Sequence, residues 1–350
     1  EEASTIHRLL EAGMDQNTGK MYFARDEDNP LKADAIIVDE MSMVDIRLLY
    51  RLLRAIPKGK RLILVGDPDQ LPPVGPGSPF GDMLRSGQLP AVRLTEIFRQ
   101  AQQSLIVMNA HKINQGEMPD LKNVKSDFFF MRRNSEEELT KLIRDLCSTR
   151  LPKNMGIPPD QIQVLSPTRK GAVGTVALNK LLQGALNPHS PDKQEHSYGD
   201  FTFREGDRVM QIRNNYDIVW KKCDGTAAGA GVFNGDVGVI REIDRNKETV
   251  TVVYDDREAD YDFTQLGELE PAFAMTVHKS QGSEYRAVIL TAWGGSTYLL
   301  SRSVLYTAVT RAKELLILVG REETVAAMTA NARKNKRYTG LKLRLQGKVG

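Results

Sequence analysis

The sequence predicts an α/β protein built on two parallel sheets with an all-β insertion, and three observations predict it. Five short apolar runs each close on a polar or glycine residue, helical periodicity lies between or beside them, and one long stretch replaces both patterns with short strands and turns. The composition agrees. The 350 residues are 41% apolar, and 48 Lys+Arg against 45 Asp+Glu leave a formal charge of +3, too apolar and too evenly charged for a disordered chain. No apolar run reaches the roughly 18 residues of a spanning helix, and the opening Glu1-Glu2-Ala3-Ser4 is no basic, apolar leader. A soluble protein without an export signal or membrane association is expected. Cys147 and Cys223 lie far apart with no Cys-x-x-Cys or His-x-x-x-His grouping, which argues against a disulfide framework or zinc site and fits a reducing cytoplasm.

Taken in order, the first strand is Ala35-Ile36-Ile37-Val38, closing on Asp39-Glu40, and the second is Leu62-Ile63-Leu64-Val65, closing on Gly66-Asp67. Between them a helix from Val44 to Ile56 places Leu48, Leu49, Leu52, Leu53 and Ile56 on one face, with Ser42 and Asp45 spaced as a capping box. Later runs at Ile162–Leu165, Ala287–Leu290 and Leu315–Val319 lead into Ser166, Thr291 and Gly320, with helices expected over 136–147, 171–184 and 302–312. Residues 11–30 read as a hairpin turning at Asn17-Thr18-Gly19-Lys20. From 203 to 268, strands at Arg208–Ile212, Val237–Glu242 and Thr249–Tyr254 and an edge at Asp260–Phe263 predict a small barrel, with Gly225–Gly231 as a flexible loop.

Charge is locally uneven. Residues 255–262 hold five acids and one Arg, an edge expected to face away from phosphate or to meet a protein, whereas 332–350 carry seven Lys/Arg and no acid and read as a solvated terminus or a DNA attractant.

Two acids after an apolar strand suit a nucleotide hydrolase: the carboxylate of Asp39 can hold Mg²⁺ and that of Glu40 can polarise water. The proline-stiffened Gly66-Asp67-Pro68-Asp69-Gln70-Leu71-Pro72-Pro73 would emerge beside them, with the Gln70 amide able to sense a γ-phosphate. Arg99 and Arg311 are candidate arginine fingers, a class worth about 10³–10⁵ in rate. Thr276-Val277-His278-Lys279-Ser280 offers donors for a sugar–phosphate chain.

In order, VDEMSM, GDPDQLPPVGPG, LTEIFRQ, VLSPTRKG, TVHKSQGSEY and LYTAVTRAK resemble the helicase motifs of superfamily 1 in their RecD-like variant, and Ser4–Leu10 is similar to the segment after that family's second motif. The resemblance spans nearly the whole chain. It implies two RecA-like (P-loop NTPase) domains that bind ATP and Mg²⁺ and move 5′ to 3′ along single-stranded DNA, including single/double-strand junctions, as a monomer in recombination or repair. Residues 1–110 would form part of the first domain, with 11–30 as a strand-separating pin. Residues 111–202 and 269–350 would form the second, and 203–268 an SH3-like barrel open to a protein partner. By the same resemblance Asp39 binds Mg²⁺, Glu40 is the general base, and Gln70, Arg99 and Arg311 face the γ-phosphate. Gly282 and Glu284 lie toward the nucleotide, with Glu284 near the ribose. Thr5, His7, Thr168, Thr276, His278, Lys279 and Ser280 contact DNA or hold the loop that does.

The sequence contains no Gly-x-x-x-x-Gly-Lys-[Ser/Thr] phosphate loop; Gly19-Lys20 lacks the upstream glycine and the following hydroxyl. The expectation is therefore the carboxyl-terminal portion of such an enzyme, hydrolysing ATP poorly by itself, with a first sheet short of a strand. Alternatives are a non-enzymatic clamp on single-stranded nucleic acid and an RNA helicase of the same superfamily.

Overall fold

The structure, a computed structural model, describes residues 3–14, 21–96, 101–122, 127–332, 337 and 339–348. The chain divides into two units, Glu1–Phe98 with Arg333–Gly350, and Arg99–Ala332. The division thus falls at 98 instead of the expected 110, and 333–350 belong with the first unit instead of the second.

In the first unit, helix α1 (Ile6–Leu9) starts at Thr5, whose hydroxyl accepts from the Arg8 amide at 3.2 Å. Strands β1 (Ala12–Met14) and β2 (Met21–Phe23) pair antiparallel, and the expected turn at 17–20 lies outside the described residues. Strands β3 (Ala35–Val38) and β4 (Arg61–Leu64) run parallel, Val38 opposite Leu64. Helix α2 (Ile46–Ala55) joins them and buries Leu49, Leu52 and Ala55. Its cap is Asp45 alone, accepting from Leu48 N at 2.8 Å; Ser42 sits in a 3₁₀ turn (Met41–Met43), so the expected capping box does not form. Ile36 and Val38 face a core with Leu10, Met41 and Leu52, whereas Ile37 (67% exposed) and Ile63 (48%) leave the opposite face of β3–β4 open. Helix α3 (Pro79–Ser86) carries the chain end on it: Thr339 Oγ1 donates to Asp82 Oδ2 at 2.5 Å and Gln346 Nε2 to Ser86 O at 3.2 Å. The basic terminus is therefore docked over these residues, not frayed.

The second unit opens with helix α4 (Leu105–Gln115), strand β5 (Phe128–Arg132) and helix α5 (Glu136–Asp145), which continues through a π turn (Leu146–Arg150) into α6 (Leu151–Met155). Strand β6 (Ile162–Ser166) is buried throughout and leads to helix α7 (Thr175–Leu186). A hairpin, β7 (Glu195–Tyr198) and β8 (Phe201–Arg204), precedes the all-β module. That module comprises β9 (Arg208–Gln211), β10 (Asn215–Lys222), β11 (Ala228–Val232), β12 (Val237–Asp244), β13 (Thr249–Tyr254), β14 (Arg257–Asp262) and β15 (Leu269–Pro271). The chain returns through β16 (Ala274–Thr276), β17 (Tyr285–Ala292), helix α8 (Arg302–Val309), β18 (Ala312–Gly320) and helix α9 (Glu322–Ala330).

Among the described residues, β16, β6, β17, β18 and β5 form one parallel sheet in that order, its core filled by residues such as Val164, Ile289 and Ile317. The module's strands form an antiparallel sheet in the order β11, β10, β14, β13, β12, β9, β15. The glycine-rich stretch departs from expectation. Residues 225–231 are not simply a loop, because Ala228–Val232 pairs with β10 and the Trp220 ring fills the space above Gly229, where a Cβ would come within 2.5 Å. Asp260–Asp262 pair with β13 alone, as the expected edge does, because β10 covers β14 only over Arg257–Ala259; there Glu258 is buried against Arg241 and Lys221, and beyond it Asp260 Oδ1 accepts from Thr251 Oγ1 at 2.6 Å. Part of the acidic run therefore serves the barrel's own sheet. The sheet also runs on to Pro271, past the expected end at 268. Helix α8 stops at Val309, three residues short of the expected end, because Ala312 already pairs in the sheet.

Cys147 lies buried in the π turn, where burial pushes its thiol up to about 12, while Cys223 is exposed at the end of β10. Among the described residues no helix is long and apolar enough to cross a membrane.

Candidate functional site

In the first unit the two loops foreseen as neighbours do emerge together. Parallel pairing ends with Val65 N donating to Val38 O (2.8 Å), and Met41 N then donates back to Val65 O (2.9 Å). The approach is so close that a Cβ on Gly66 would lie 3.0 Å from Met41 N. Asp39, exposed at the tip of β3, accepts from the Glu40 amide at 2.7 Å. Glu40 itself sits in the left-handed region at φ 50, ψ 41, a conformation costly for a side-chain-bearing residue and commonest where surroundings impose it. In the facing loop Asp67 Oδ1 accepts from Asp69 N at 2.9 Å, and the buried Gln70 Oε1 has no donor. A buried acceptor without a donor is a place for ordered water, and an exposed carboxylate such as that of Asp39 suits a hard cation such as Mg²⁺ that keeps most of its own waters. Among the described residues no group of three or more His, Cys, Asp or Glu is placed to hold a metal ion. Arg99 lies outside the described residues.

Thr5 caps α1, and the His7 ring tilts against Phe23 with centroids 5.9 Å apart. Burial lowers the His7 pKa, and the charge of Asp45 opposes that shift. Phe23 packs on the core, while Tyr22 is 52% exposed across Gly13.

In the second unit the motif residues cluster at two places. At the carboxyl ends of β6 and β16, Thr168 bonds back to Ser166 Oγ (N to O, 3.2 Å), and Thr276 opens a 3₁₀ turn (Val277–Ser280). Ser280 is fully buried, with Oγ donating to Val277 O at 2.9 Å, so its hydroxyl closes the turn. His278 is half-buried and burial lowers its pKa. The Lys279 ammonium pairs with Glu270 at 2.7 Å. The second cluster joins the turn before β17 to the end of α8. Arg311, 3% exposed, donates to Thr307 O (3.1 Å), Ser283 O (3.1 Å) and Thr310 Oγ1 (3.2 Å). Among the described residues these three oxygens, and no carboxylate, hold the buried guanidinium. Gly282 takes φ 76 beside it, and exposed Glu284 pairs with Lys313 at 3.3 Å.

Several residues near these loops escaped the sequence reading. Arg169 Nη2 pairs with Glu270 at 2.8 Å. Asn179 of α7 donates to Pro271 O and Ala274 O, both at 2.9 Å, and accepts from Ala274 N at 2.7 Å. Trp293, just past β17, carries Arg321 on its ring at 4.0 Å, and its loop reaches Thr168, whose Cγ2 would meet a Cβ on Gly295 at 3.2 Å. Arg169 and Trp293 share a position just after a buried parallel strand, whereas Asn179, inside α7, carries no such signal.

Residues 178–254 match the family model of the ATP-dependent RecD-like DNA helicase SH3 domain, 1–129 that of an AAA domain, and 271–319 that of the UvrD-like helicase C-terminal domain. With the sheets described, these define the class: two RecA-like domains with an SH3-like insertion. The chain is 31% identical over 325 residues to the ATP-dependent RecD2 DNA helicase of Deinococcus radiodurans, covering 91% of this chain and 40% of that protein. To the RecBCD enzyme subunit RecD of Mycobacterium tuberculosis it is 30% identical over 367 residues, covering 98% and 58%. A Pif1 helicase from Bacteroides, solved with ADP-AlF3 and ssDNA, is similar at 18% identity and TM-score 0.48, over 89% of this chain and 78% of that one. The chain belongs to the RecD-like helicases of superfamily 1, a family that in general depends on a nucleotide and Mg²⁺. It spans less than two thirds of the length of these two curated relatives.

Proposed function

We propose that this chain is the carboxyl-terminal portion of an ATP-dependent 5′-to-3′ DNA helicase that tracks single-stranded DNA and opens duplex in recombination or repair. The observation that carries the reading is the interlocked pair of loops after β3 and β4, where strained Glu40 stands beside Asp39 and across from a donor-less Gln70. Asp39 would hold Mg²⁺, which when bound would supply positive charge to the phosphates; Glu40 takes the proton of the attacking water, and Gln70 orients that water; Arg99 and Arg311 neutralise charge on the γ-phosphate. Gly282 and Glu284 hold the nucleoside side. Thr5, His7, Thr168, Thr276, His278 and Lys279 carry the DNA backbone, with Ser280 keeping its turn closed. Phosphate contacts of this kind need donors more than base-reading groups, which is the chemistry these side chains offer. The hairpin of β1 and β2 acts as the pin, the barrel meets a protein partner, and the protein works as a monomer in the cytoplasm.

The test has two arms. Titrating oligothymidylate against salt should give a slope near −0.7 per phosphate contact, and absence of binding at low salt rejects the reading. With the reading frame upstream of Glu1 included, DNA-stimulated ATP hydrolysis should fall at least about 10²-fold on Glu40→Gln, the scale of losing general-base help. Undiminished turnover in that variant removes Glu40 from the role. Without the upstream segment, hydrolysis should be slow in both.

A further inference from the structure

Glu270 joins two modules of the second unit. It belongs to β15, paired with Met210 of β9 in the barrel sheet, yet its carboxylate grips the loops that follow the parallel strands β6 and β16. Oε1 takes Arg169 at 2.8 Å and Oε2 takes Lys279 at 2.7 Å. The carboxylate is 19% exposed, Lys279 30% and Arg169 59%, so the cations are still reachable from solvent while the acid between them is mostly covered. The cavity beside them, bounded also by Thr276 and Asn179, holds ≈ 40 Å³, room for a water or two and no more.

Two cations held apart by one two-oxygen acceptor have the geometry that a bridging phosphate would also satisfy. Because the cavity is too small to add a phosphate, one that bridges the two cations there takes the carboxylate's place. We propose that Glu270 stands in for a DNA backbone phosphate between Arg169 and Lys279, so that binding of single-stranded DNA exchanges the carboxylate for a phosphate and releases β15 from the two loops. The proposal rests on the reading that these loops carry DNA. It makes the barrel's attachment respond to occupancy of the strand path: the loops grip either the barrel or the nucleic acid.

Removing the competitor should strengthen DNA binding. Glu270→Gln keeps the shape and drops the charge, so affinity for an oligothymidylate of about 15 nucleotides should rise roughly three- to ten-fold at low salt, with a slope steeper by about 0.7–1.4, one or two further phosphate contacts. Glu314→Gln, the same charge change at the Arg286 pair, serves as control and should not steepen the slope. In the Glu270→Gln background Arg169→Ala should weaken binding more than it does in the unaltered chain. In the unaltered chain, amide exchange at 269–270 should quicken when DNA is added, a readout independent of any variant. Equal or weaker binding by Glu270→Gln with an unchanged slope, an equal effect of Glu314→Gln, or slower exchange at 269–270 overturns the proposal while leaving the helicase reading intact. No binding by the unaltered chain overturns both.

Discussion

Glu40 and Ser280 make opposite points about single residues. At φ 50 Glu40 holds a conformation costing roughly 1–2 kcal/mol, sustained because Met41 N and Val65 O lock the turn that follows it. Its neighbourhood with Gly66–Gln70 was legible, since two consecutive parallel strands of one sheet must release their loops on the same edge. For Ser280 the sequence left contact with DNA and holding the loop both open, because whether a hydroxyl in a donor-rich stretch faces solvent or its own turn depends on a 3₁₀ geometry that side-chain chemistry does not announce. His278 carries a pH consequence. Burial lowers its pKa, so the folded state takes the proton less readily than the unfolded chain, whose histidine titrates near 6.5. The stability present above that value is therefore lost as pH falls through it toward the depressed one. Unfolding free energies for the unaltered chain and His278→Gln should diverge from about pH 7 to pH 5, the unaltered chain losing more.

Among elements, α7 decides how the barrel hands the chain back to the parallel sheet. Asn179 satisfies three backbone groups of Pro271 and Ala274 where β15 ends and β16 begins, and it is 5% exposed. Truncation would leave those groups buried without partners at about 1–3 kcal/mol apiece, partly relieved by water. Asn179→Ala should thus lower the denaturant midpoint by an amount equivalent to about 3 kcal/mol, measured by equilibrium unfolding, with Asn179→Asp at least as damaging near neutral pH because a carboxylate oxygen would face Pro271 O and Ala274 O in place of a donor. Strand positions read well where apolar alternation was strong, as at Thr249–Tyr254. They failed at Ala228–Val232, where Gly229 and Gly231 carry no strand signal and only the Trp220 ring gives the glycine its purpose. Glu258 was likewise misread with its acidic run, because its buried partners Arg241 and Lys221 come from other strands.

Across the whole molecule, the two units differ in how completely their sheets are covered. Parallel strands are ordinarily buried on both faces, as β6 is along its full length; β3 and β4 instead expose Ile37, Ile63 and neighbouring Val65. Less apolar burial means easier local opening, so amides of 35–38 and 61–64 should exchange with solvent at least about tenfold sooner than those of 285–292 and 312–320 in native-state hydrogen exchange. Fold class and insertion could be anticipated from periodicity because each needs only local pattern, whereas assignment of 333–350 to the first unit could not, since it rests on single bonds such as Thr339 to Asp82 across a long sequence separation. The two cysteines turn this architecture to practical use. Thiolate, not thiol, attacks an alkylating dye, and Cys147 is enclosed in the π turn with its ionisation suppressed, while Cys223 stands at the surface of the barrel. A maleimide fluorophore therefore has one address on the native protein without any engineering, and it is on the module that Glu270 tethers.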